Sequence, residues 1–555
     1  MTNELAKLEF VPCRPGVPPL DRAQIEPLLG SLGGDWRVVE DHHLEKEFEF
    51  KDFRQALAFT NRVGDLAEQL DHHPELHLAW GKVRLVIWTH SIGGLCQGDF
   101  IFAAKADALR QARRLPTLIL RSTEDGDRIE ADRGDLGPMA PSMSIPLLKD
   151  RRLLLGVTGS IAAFKAAELA SRLTQAGAQV DVILTEAAER FVSPLTFQSL
   201  TGRRAHTDAD LWGPEGHVLH VTLTQSAHLL VVAPATANTL AKLAHGQSDN
   251  LLTIIALAAR CPLVVAPAMD AGMYEHPATQ ANLDTLRRWG AVIAGPTEGR
   301  MASGLVGWGR MLEPSEMVGY VRLALGLQGP LEGRKVVVTA GGTQEPIDPV
   351  RAIVNRSSGK QGFALAQAAV DRGADVTLIT GLTQLETPVG AKRVDVRTAQ
   401  EMCEAVLAEV PQADVLLMAA AVADFRPVHA APHKIKKSES PQVLQLEATE
   451  DILSSVAKAH KRSGHPQVVV GFAAESQDML EGARAKLHAK GLSLIVANDI
   501  TAADAGFGAD TNRVTLLDAD GTVQELPVMS KAAVADIVLA RVVALLGESH
   551  SPLTS

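Results

Sequence analysis

The chain has 555 residues, of which 46% are hydrophobic and 21% are charged, and its formal net charge is −11. This length exceeds what one hydrophobic core can organise, so about three domains are expected. The negative charge argues against a nucleic-acid-binding protein. The four cysteines (Cys13, Cys96, Cys261 and Cys403) are widely spaced, which argues for a reducing cytosol and against a disulfide scaffold or a zinc site.

Neither a secretory signal nor a membrane span is predicted. The segment that begins at Met1 lacks a basic stretch followed by an apolar one, as a secretory signal would require. The longest apolar run, residues 415–423, is far shorter than the roughly 20 residues needed to cross a bilayer. We therefore expect a cytoplasmic protein.

The first predicted domain, residues 1–108, is distinguished by its histidines. Residues 71–74 read Asp-His-His-Pro, and residues 82–89 alternate between apolar and polar side chains before His90. The alternation predicts a half-buried strand that places His90 at its end. Histidines titrate near neutral pH and can donate and accept protons in a dehydration. A surface cluster or a metal site would also explain them.

These histidines, together with Trp36 and residues 47–53, resemble the pterin-4a-carbinolamine dehydratase family over about residues 20–105. The resemblance implies a small α+β domain that acts on a pterin carbinolamine. The residues it implies as acid/base groups are His72, His73 and His90, with His77 as a weaker candidate. The domain either catalyses dehydration or serves as an oligomerising module, and the sequence leaves both open.

Residues 109–150 are predicted to form a linker to a second domain, residues 151–325. That domain opens with a buried strand running into the turn Gly159-Ser160. A helix pattern follows through Leu173, and a further strand covers residues 180–185. This strand–helix–strand order predicts a doubly wound, Rossmann-like parallel sheet with ligands at the carboxyl ends of its strands.

The glycine-containing turns of the chain do not match the dinucleotide fingerprint. Residues 156–159 and the pair Gly341-Gly342 both lack the third spaced glycine, which makes an NAD site a weak hypothesis. A Gly-Ser turn that leads into a helix still offers free backbone N–H groups to an anion. The phosphate of flavin mononucleotide (FMN) would suit the first turn.

Four motifs follow the Gly-Ser turn in order: His220, residues 233–238, residues 267–273 and residues 303–311. With the turn, they resemble the phosphopantothenoylcysteine decarboxylase family. The resemblance implies bound FMN, which takes up electrons as the substrate thiol is oxidised, so that the carboxylate is lost, and then returns them. It implies His220 as the base. The implied flavin contacts are Gly159, Ser160, Thr185, Thr236 and Asn238.

Two positions depart from the family pattern. Asp270 stands where the family commonly has asparagine, and Ser303 stands where it has a proton-donating cysteine. A serine hydroxyl is a far weaker acid than a thiol. Either Asp270 acts as the acid, or the reaction stops at the oxidised enethiol, or the domain binds flavin without catalysis. We favour Asp270, because a carboxylic acid can be tuned to donate a proton near neutral pH.

The third predicted domain, residues 334–548, repeats the strand–turn–helix plan after a Gly-rich hinge at residues 325–333. Residues 335–342 read as a strand and a Gly-Gly turn. A helix is predicted from about residue 359 to residue 372, and a strand at residues 376–380. The third domain is therefore expected to be a second doubly wound, Rossmann-like sheet.

The most informative segment of this domain is Ala-Ala-Ala-Val-Ala-Asp-Phe at residues 419–425, followed by Lys-Ile-Lys-Lys at 434–437. We expect a buried strand of small residues that ends at Asp424. Small residues let a ligand approach the backbone, Asp424 can bind a metal or a sugar, and the lysines neutralise phosphate. Residues 355–360 and 471–475 support the prediction of a nucleoside triphosphate site.

These motifs resemble the phosphopantothenate–cysteine ligase family over about residues 334–545. The resemblance implies that a nucleotide, usually CTP in bacteria, converts a carboxylate to an acyl-cytidylate with Mg²⁺, and that the amine of cysteine displaces it. Asn355 and Lys434 are implied in the chemistry, and Asp424 in metal binding. The implied nucleotide contacts are Ala419, Ala420, Asp424, Lys434, Asp451, Ile452, Leu453, Phe472, Lys486 and Lys490.

The sequence thus predicts a fusion of a dehydratase-like domain with two coenzyme A biosynthesis activities, since the ligase product is the decarboxylase substrate. We expect a homo-oligomer that acts on small molecules. An alternative is a pterin dehydratase fused to a ligase whose flavin domain is inactive, regulatory or stops at the enethiol. CTP and ATP are not distinguished by the sequence.

Overall fold

The computed structural model describes residues 5, 19–32, 35–51, 53–70, 72–89, 92–111, 145–212, 216–300, 304–436, 443–475, 479–499 and 509–548. The chain divides into two compact units, residues 1–134 and residues 135–555. Over the described residues, no helix combines the length and the apolar character of a bilayer span. A small α+β unit precedes a unit with two large, mainly parallel sheets, which confirms the predicted fold class.

The described part of the first unit is an antiparallel sheet with helices, in the strand order β1-β2-β4-β3. Its elements are α1 (Arg22–Leu32), β1 (Arg37–Val39), β2 (His43–Glu49), α2 (Phe53–Leu70), β3 (Glu75–Ala79), β4 (Lys82–Ile87) and α3 (Gln97–Gln111). In β4, Val83, Leu85 and Ile87 are buried while Lys82 and Arg84 are exposed. The predicted half-buried strand is confirmed, and it ends two residues earlier than expected.

A buried ion pair fixes the core of this unit. Lys46 donates from Nζ to Asp107 Oδ1 at 2.6 Å, and Trp36 donates from Nε1 to Asp107 Oδ2 at 2.9 Å. The pairing offsets the cost of removing Lys46 from water. Cys96 is disulfide-bonded, which the wide cysteine spacing did not predict, whereas Cys261 and Cys403 are free.

The second unit begins with a six-stranded parallel sheet in the order β10-β9-β8-β5-β6-β7. Its strands are β5 (Arg152–Val157), β6 (Gln179–Leu184), β7 (Ala205–His206), β8 (Leu229–Ala235), β9 (Leu263–Pro267) and β10 (Val292–Ile293). The antiparallel hairpin that follows consists of β11 (Thr297–Arg300) and β12 (Val306–Arg310). Strand β5 is buried along almost its whole length, as expected of a parallel strand with helices on both faces.

The helices of this region confirm the predicted βαβ order. They are α4 (Ala163–Gln175), α5 (Glu186–Glu189), α6 (Pro194–Thr201), α7 (Gly216–Gln225), α8 (Ala237–His245), α9 (Leu251–Ala258), α10 (Ala271–Glu275), α11 (Pro277–Arg288) and α12 (Pro314–Gly326). Helix α4 ends two residues before Gly177, whose φ of +101° is open to glycine and costly for other residues.

The rest of the second unit is built on an eight-stranded sheet in the order β17-β16-β13-β18-β21-β22-β24-β25, of which the first six strands run parallel. These strands are β13 (Lys335–Ala340), β16 (Asp375–Thr380), β17 (Ala391–Asp395), β18 (Val415–Met418), β21 (Val468–Glu475), β22 (Leu494–Asp499), β24 (Val514–Asp518) and β25 (Val523–Glu525). The predicted strands at 335–342 and 376–380 are confirmed.

Short strand pairs and helices complete this region. The pairs are β14 (Gln344–Pro346) with β15 (Ala352–Val354), β19 (Phe425–Pro427) with β20 (Leu446–Ala448), and β23 (Thr511–Asn512) with β26 (Met529–Ser530). The helices are α13 (Lys360–Val370), α14 (Ala399–Glu409), α15 (Ile452–Ser463), α16 (Met479–Lys490) and α17 (Lys531–Glu548). Helix α13 matches the helix predicted from about residue 359 to residue 372.

The Gly-rich segment 325–333 is a packed joint between the two sheets, and its interpretation as a hinge stays a prediction. A Cβ atom on Gly329 would lie 2.4 Å from the carbonyl oxygen of Arg372, so glycine serves close backbone approach at this position. Beside the joint, Arg322 on α12 donates from Nε to Asp371 Oδ1 at 3.0 Å. The ion pair ties α12 of the six-stranded region to the end of α13.

Candidate active sites

Two adjoining cavities lie at the carboxyl edge of the eight-stranded sheet. Cavity A has a volume of about 390 Å³ and lies between the end of β18, the start of α15 and α16. Cavity B has a volume of about 470 Å³ and lies over the start of α13. The two share a wall formed by Ala420, Val422, Asp424, Phe472 and Lys486. A ligand with two chemically different ends could therefore occupy both.

Cavity A collects most of the residues predicted to bind a nucleotide. Those that line it are Ala420, Asp424, Asp451, Ile452, Leu453, Phe472, Lys486 and Lys490. Asp451 caps α15 by accepting from the Ser454 N–H at 3.0 Å, and it also pairs with Lys490. Lys486 lies four residues before Lys490 on α16, so both lysines face one cavity.

The loop before Asp424 differs from the prediction. Strand β18 ends at Met418, and residues 419–424 leave the sheet instead of continuing a buried strand. Their backbone is held in part by side-chain hydroxyls: the Ala420 N–H donates to Thr339 Oγ1 at 3.2 Å, and the Ala423 N–H donates to Thr343 Oγ1 at 2.9 Å. The Ala421 N–H donates to the Gly341 carbonyl at 2.8 Å. These bonds satisfy the backbone where the strand has ended.

Cavity B has a polar floor suited to an anion. Asn355 donates from Nδ2 to the Val422 carbonyl at 2.9 Å, which places it beside the shared wall. The cavity also contains Ser357, Gly359 and the start of α13. The first N–H groups of a helix lack backbone acceptors and carry partial positive charge, so they favour a phosphate or carboxylate at this position.

Lysines and amides from the end of the chain reach the same cavity. Lys360 pairs with Asp510 at 2.6 Å, and Lys531, 9% exposed, lines the cavity together with Asn498 and Asn512. Burial lowers the pKa of the Lys531 ammonium, and repulsion from Lys360 adds to the effect. None of the residues Asn498, Asn512 and Lys531 was predicted to be a site residue. Of the three, only Asn498 could have been found from the sequence, because it lies at the end of a strand that the sequence predicts.

Lys434 is exposed and lines neither cavity, and Ala419 lines cavity B alone. The segment of Lys434 is anchored nearby: the Ile435 N–H donates to Asp348 Oδ2 at 3.2 Å, and Asp348 pairs with Arg351 at 2.9 Å. Lys437 lies outside the described residues. In this structure, the lysines at cavity A come from α16 and not from the predicted Lys-rich segment.

The residues predicted to bind flavin lie on loops at the carboxyl ends of β5, β6 and β8. At the first loop, a Cβ atom on Gly159 would lie 2.4 Å from Ala187 Cβ, so only glycine fits. Thr158 joins two loops: it donates to the Pro234 carbonyl at 2.7 Å and accepts from the Thr236 N–H at 3.2 Å. The neighbouring strands thus bring their predicted ligand loops together.

The remaining predicted flavin contacts occupy helix starts on these loops. Thr185 caps α5 and Thr236 caps α8, each by accepting a backbone N–H through its hydroxyl. Ser160 Oγ accepts from the Ala162 N–H at 3.3 Å, and Asn238 is exposed in the first turn of α8. Helix starts of this kind are suited to hold a phosphate.

Asp270 follows β9 at the same edge of the sheet and caps α10, accepting from the Gly272 N–H at 3.2 Å. The hairpin of β11 and β12 is docked beside it, because the Met269 N–H donates to the Gly309 carbonyl at 3.0 Å. A Cβ atom on Gly309 would lie 2.2 Å from Met269 O, so the close approach requires glycine. Ser303 lies outside the described residues.

His220 is half-buried on α7, and its carbonyl accepts from Thr224 Oγ1 at 2.8 Å. Within the described part of the chain, no recorded hydrogen bond or ion pair joins His220 to the loops at Gly159, Thr236 or Asp270. The structure therefore brings the flavin loops and Asp270 to one edge of the sheet, and the role of His220 as the base stays a prediction.

In the first unit, His72 makes the most specific contact of the predicted histidines. Its Nε2 lies 2.8 Å from Oδ1 of Asp99, which is fully buried and also accepts from Thr89 Oγ1 at 3.0 Å. His73 is exposed, and His77 is exposed beside Glu75 at 3.6 Å. His90 lies outside the described residues.

Over the described ranges, no group of three or more His, Cys, Asp and Glu side chains is arranged to hold a metal ion. The lack of such a group among the described residues does not conflict with Asp424 as a predicted magnesium ligand, because Mg²⁺ is commonly held by one or two carboxylates together with substrate phosphates. The cluster of oxygen ligands would be completed by the nucleotide.

Family models match three parts of the chain. The DNA/pantothenate metabolism flavoprotein C-terminal domain matches residues 331–546, the Flavoprotein family matches residues 144–325, and the Pterin 4 alpha carbinolamine dehydratase family matches residues 18–109. The two cavities, the flavin loops and these matches define the class of the protein. It is an enzyme that joins a flavoprotein domain to a pantothenate-metabolism domain, behind a carbinolamine-dehydratase-like domain.

Relatives that match over 98% of their own length identify the family within this class of enzymes. Coenzyme A biosynthesis bifunctional protein CoaBC of Bacillus subtilis (strain 168) is 47% identical over 402 residues, which cover 72% of this chain and 98% of that protein. The protein of the same name from Mycobacterium tuberculosis (strain ATCC 25618 / H37Rv) is 47% identical over 413 residues, with the same coverage. A crystal structure of the C-terminal domain of CoaBC is 39% identical, covers 40% of this chain and 99% of that chain, and gives a TM-score of 0.34.

The chain belongs to the CoaBC family of bifunctional coenzyme A biosynthesis proteins. It is an enzyme with a phosphopantothenoylcysteine decarboxylase part and a phosphopantothenate–cysteine ligase part. The function predicted from the sequence motifs is confirmed at this level. The carbinolamine-dehydratase-like domain is an addition to the region shared with these relatives, since the family match at residues 18–109 precedes the flavoprotein match.

Proposed function

We propose that the ligase region binds CTP with Mg²⁺ in cavity A and phosphopantothenate in cavity B, and forms an acyl-cytidylate where the cavities meet. The flavoprotein region then decarboxylates the product with the help of FMN. The observation that carries the proposal is the wall shared by the two cavities, which contains Asp424, Phe472 and Lys486. A carboxylate and a nucleotide must meet at such a junction for one to activate the other.

Cavity A offers the groups that a nucleoside triphosphate requires. Lys486 and Lys490 supply positive charge for the phosphates. Ile452, Leu453 and Phe472 supply an apolar surface for the base. Asp424 is an oxygen ligand for Mg²⁺ or an acceptor for a ribose hydroxyl. Neutralising the phosphates stabilises the charge that develops as pyrophosphate leaves.

Cavity B supplies the complementary features for phosphopantothenate. The start of α13, with Ser357 and Lys360, binds its phosphate. Asn355 is fixed by its hydrogen bond to Val422 O, so its amide can orient the acyl group without losing conformational entropy at the moment of reaction. Enclosure by the two cavities keeps water from hydrolysing the mixed anhydride.

Lys434 remains a proposed catalytic group even though it lies outside both cavities. Its segment is anchored through Ile435 to Asp348. We assign Lys434 to the chemical step, and we assign the resident positive charge of cavity A to Lys486 and Lys490. Replacing Lys434 with glutamine should slow amide synthesis and leave nucleotide binding in place.

The flavin loops fit FMN. Gly159 leaves space where any side chain would collide with Ala187, and the caps at Thr185 and Thr236 place helix starts on either side. Bound FMN would supply reversible two-electron oxidation of the substrate thiol. Asp270, held beside the β11–β12 hairpin, would donate the proton that completes reduction of the product.

A second activity is favoured by one contact in the first unit. The fully buried Asp99 fixes the ring of His72, and a carboxylate partner of this kind sets the orientation and protonation of a catalytic histidine. We propose that this unit dehydrates a pterin carbinolamine, with His72, His73 and His90 as acid/base groups. If the first unit does not convert a pterin carbinolamine, its remaining role is that of an oligomerising module.

One incubation tests the proposed coenzyme A activities: purified protein with phosphopantothenate, cysteine, CTP and Mg²⁺. Pyrophosphate, CMP and CO₂ should appear in equal amounts, and the purified protein should carry a yellow, FMN-like absorbance. Parallel reactions with ATP in place of CTP report the nucleotide preference. Release of CMP without CO₂ would contradict the decarboxylase part of the proposal. A full mixture that yields neither pyrophosphate nor CMP, from a protein that still decarboxylates added phosphopantothenoylcysteine, would contradict the ligase part.

A further inference from the structure

The turn between β1 and β2 brings two neighbouring histidine rings together. His42 Nδ1 lies 3.3 Å from His43 Nδ1, and the two ring centroids are 5.5 Å apart. The ring of Trp88 flanks both, and its centroid lies 5.6 Å from that of His42 and 6.1 Å from that of His43. All three side chains are half-buried. None of them is among the residues that the family resemblance implies for dehydration.

The backbone of the turn explains why the two rings lie together. Consecutive side chains of an extended strand point to opposite faces, so adjacent histidines within a strand would diverge. His42 precedes β2, and its N–H donates to the Val39 carbonyl at 3.0 Å. Glu40 and Asp41 have φ angles of +55° and +49°, as the central pair of a tight hairpin turn does. The turn therefore folds His42 back toward the ring of His43.

The distance between the two Nδ1 atoms matches one edge of a tetrahedral metal site. Zn²⁺ binds imidazole nitrogen at about 2.0–2.1 Å and favours tetrahedral geometry, so two such nitrogens lie about 3.3–3.4 Å apart. An ion of square-planar geometry with the same bond lengths would hold neighbouring nitrogens about 2.8–3.0 Å apart. The observed distance of 3.3 Å therefore fits Zn²⁺ without movement of either ring.

The chemistry of imidazole allows this pair to change from a hydrogen bond to metal ligands. A neutral imidazole has one N–H and one nitrogen lone pair, so one Nδ1 donates to the other when no metal is bound. When Zn²⁺ binds, both Nδ1 lone pairs face the ion, and the ring that was the donor carries its proton on Nε2 instead. Neutral imidazole is the form in which histidine binds metals, so this exchange requires no change in charge of either ring.

The surroundings of the pair are those of an open site with two protein ligands. Among the described residues, no group of three or more His, Cys, Asp and Glu side chains is arranged to hold a metal ion. Water molecules would therefore supply the other two ligands of a tetrahedral ion. The half-buried position of both histidines leaves room for water on one side. On the other side, Trp88 offers an indole ring, whose electron-rich face attracts cations.

We propose that His42 and His43 form a Zn²⁺ site whose remaining ligands are water. The proposal does not depend on pterin chemistry, because the histidines implied in dehydration are other residues. A bound ion links the residue before β2 to the first residue of β2 and so holds the β1–β2 turn in its folded conformation. Binding to the folded state alone stabilises that state in proportion to the logarithm of the free metal concentration.

Calorimetric titration of the full-length, chelator-treated protein with Zn²⁺ tests the two ligands. His42→Ala and His43→Ala should each raise the Kd of one equivalent of Zn²⁺ per chain by about 100-fold or more, since loss of a partner that only orients a ligand already costs about 10–100-fold. His77→Ala, which removes an exposed histidine of the same sheet, is the matched control and should keep this Kd. Unchanged Zn²⁺ binding in both His42→Ala and His43→Ala would overturn the proposal.

A second test keeps both ligands and so stays informative if a histidine variant does not fold. Co²⁺ in place of Zn²⁺ should show the strong visible absorbance of a tetrahedral ion and should quench the fluorescence of nearby tryptophan. Trp88→Phe should remove this quenching while weakening Co²⁺ binding by no more than about fivefold. Trp80→Phe, at a position 74% exposed, is the control and should keep the quenching. Quenching that survives Trp88→Phe would place the metal elsewhere and contradict the proposal.

Discussion

Each of the two large sheets carries its predicted site at the carboxyl ends of its strands, but the surroundings of the two sites differ. At the eight-stranded sheet, cavities A and B are lined by charged side chains, and the start of α15 and α16 contribute Asp451, Lys486 and Lys490 directly. At the six-stranded sheet, the predicted flavin loops are surrounded by exposed apolar side chains. These are Ile161 at 61%, Phe164 at 59%, Phe191 at 49% and Leu195 at 68% exposure.

The difference has a physical interpretation. Exposed aromatic and aliphatic side chains on neighbouring elements, such as α4 and α6, are typical of a surface that binds another protein or a second copy of the chain. The ligase site can therefore be tested by changing single residues within one chain. The flavin site is expected to depend on assembly as well, in agreement with the homo-oligomer predicted from the sequence. Each of the following changes is chosen to affect one site and spare the other.

The largest effect is expected at Asp270. Asp270→Asn keeps the size of the side chain but removes the proposed proton donor, and general acids contribute about 100-fold or more. The yield of reduced product should fall by that factor, and mass spectrometry should show an enethiol that is lighter by two hydrogens. Asp284→Asn, an exposed position on α11, is the control. Normal reduced product from Asp270→Asn would show that another group supplies the proton.

The ligase site is next in expected effect. Asp424→Asn removes a charge at the shared wall, and loss of a charge-assisted contact to metal or ribose should slow CTP-dependent amide synthesis by about 50-fold. Decarboxylation of added phosphopantothenoylcysteine should be unaffected, because the flavin loops belong to the other sheet. Glu447→Gln, an exposed partner of Arg426, serves as control. Equal loss in the control would point to a structural effect of charge removal.

The exposed apolar surface beside the flavin loops provides a third test. Phe164→Glu places a charge among Ile161 and Leu195, and burying it in an interface should weaken self-association by about tenfold or more. Light scattering should show smaller species, with flavin absorbance lost in proportion and ligase activity kept. Phe425→Glu, an aromatic residue of similar exposure (55%) in β19, is the comparison. If the Phe164→Glu protein assembles fully, this exposed surface does not contribute to the flavin site and the prediction is wrong.

The smallest effect concerns the pH dependence of stability. Lys335 and Lys392, at 2.7 and 3.1 Å from Glu409, hold the pKa of that carboxyl below its usual value. A lowered pKa means that the pairing stabilises the fold above the unfolded-state pKa and is lost as pH falls through the folded-state value. Glu409→Gln should cost about 1 kcal/mol at pH 7.

The difference between Glu409→Gln and the unmodified protein should disappear once the pH has fallen below the folded-state pKa of Glu409, because both proteins then carry a neutral side chain at this position. Hydrogen exchange of the β13 amides reports this region without relying on unfolding of the whole chain. A difference that persists below that pKa would mean that Glu409 contributes through packing instead of charge.

The sequence predicted those parts of the ligase site that local pattern determines. Asp424, Asp451 and the α16 lysines were found because a motif or a four-residue spacing places them at strand ends or on one helix face. Asn512 and Lys531 were missed. They reach cavity B through a pairing of two-residue strands, β23 with β26, and such short strands have no periodicity to recognise.

Two further differences have physical causes of the same kind. Lys434 was assigned to the nucleotide site from composition, but a Lys-rich segment carries no information on where the chain directs it, and the resident lysines belong to α16. The segment 325–333 was interpreted as a hinge because glycine permits unusual backbone conformations. The same lack of a Cβ atom permits close packing, and Gly329 against Arg372 uses that property.

The packed joint at Gly329 bears on how the two coenzyme A activities cooperate. Because Arg322 and Asp371 tie α12 to α13, we expect little relative movement of the two catalytic regions of one chain. We therefore predict that phosphopantothenoylcysteine leaves the ligase site before the decarboxylase captures it. A competing enzyme added in excess should intercept this intermediate, and lengthening the joint with flexible residues should not speed up the coupled reaction.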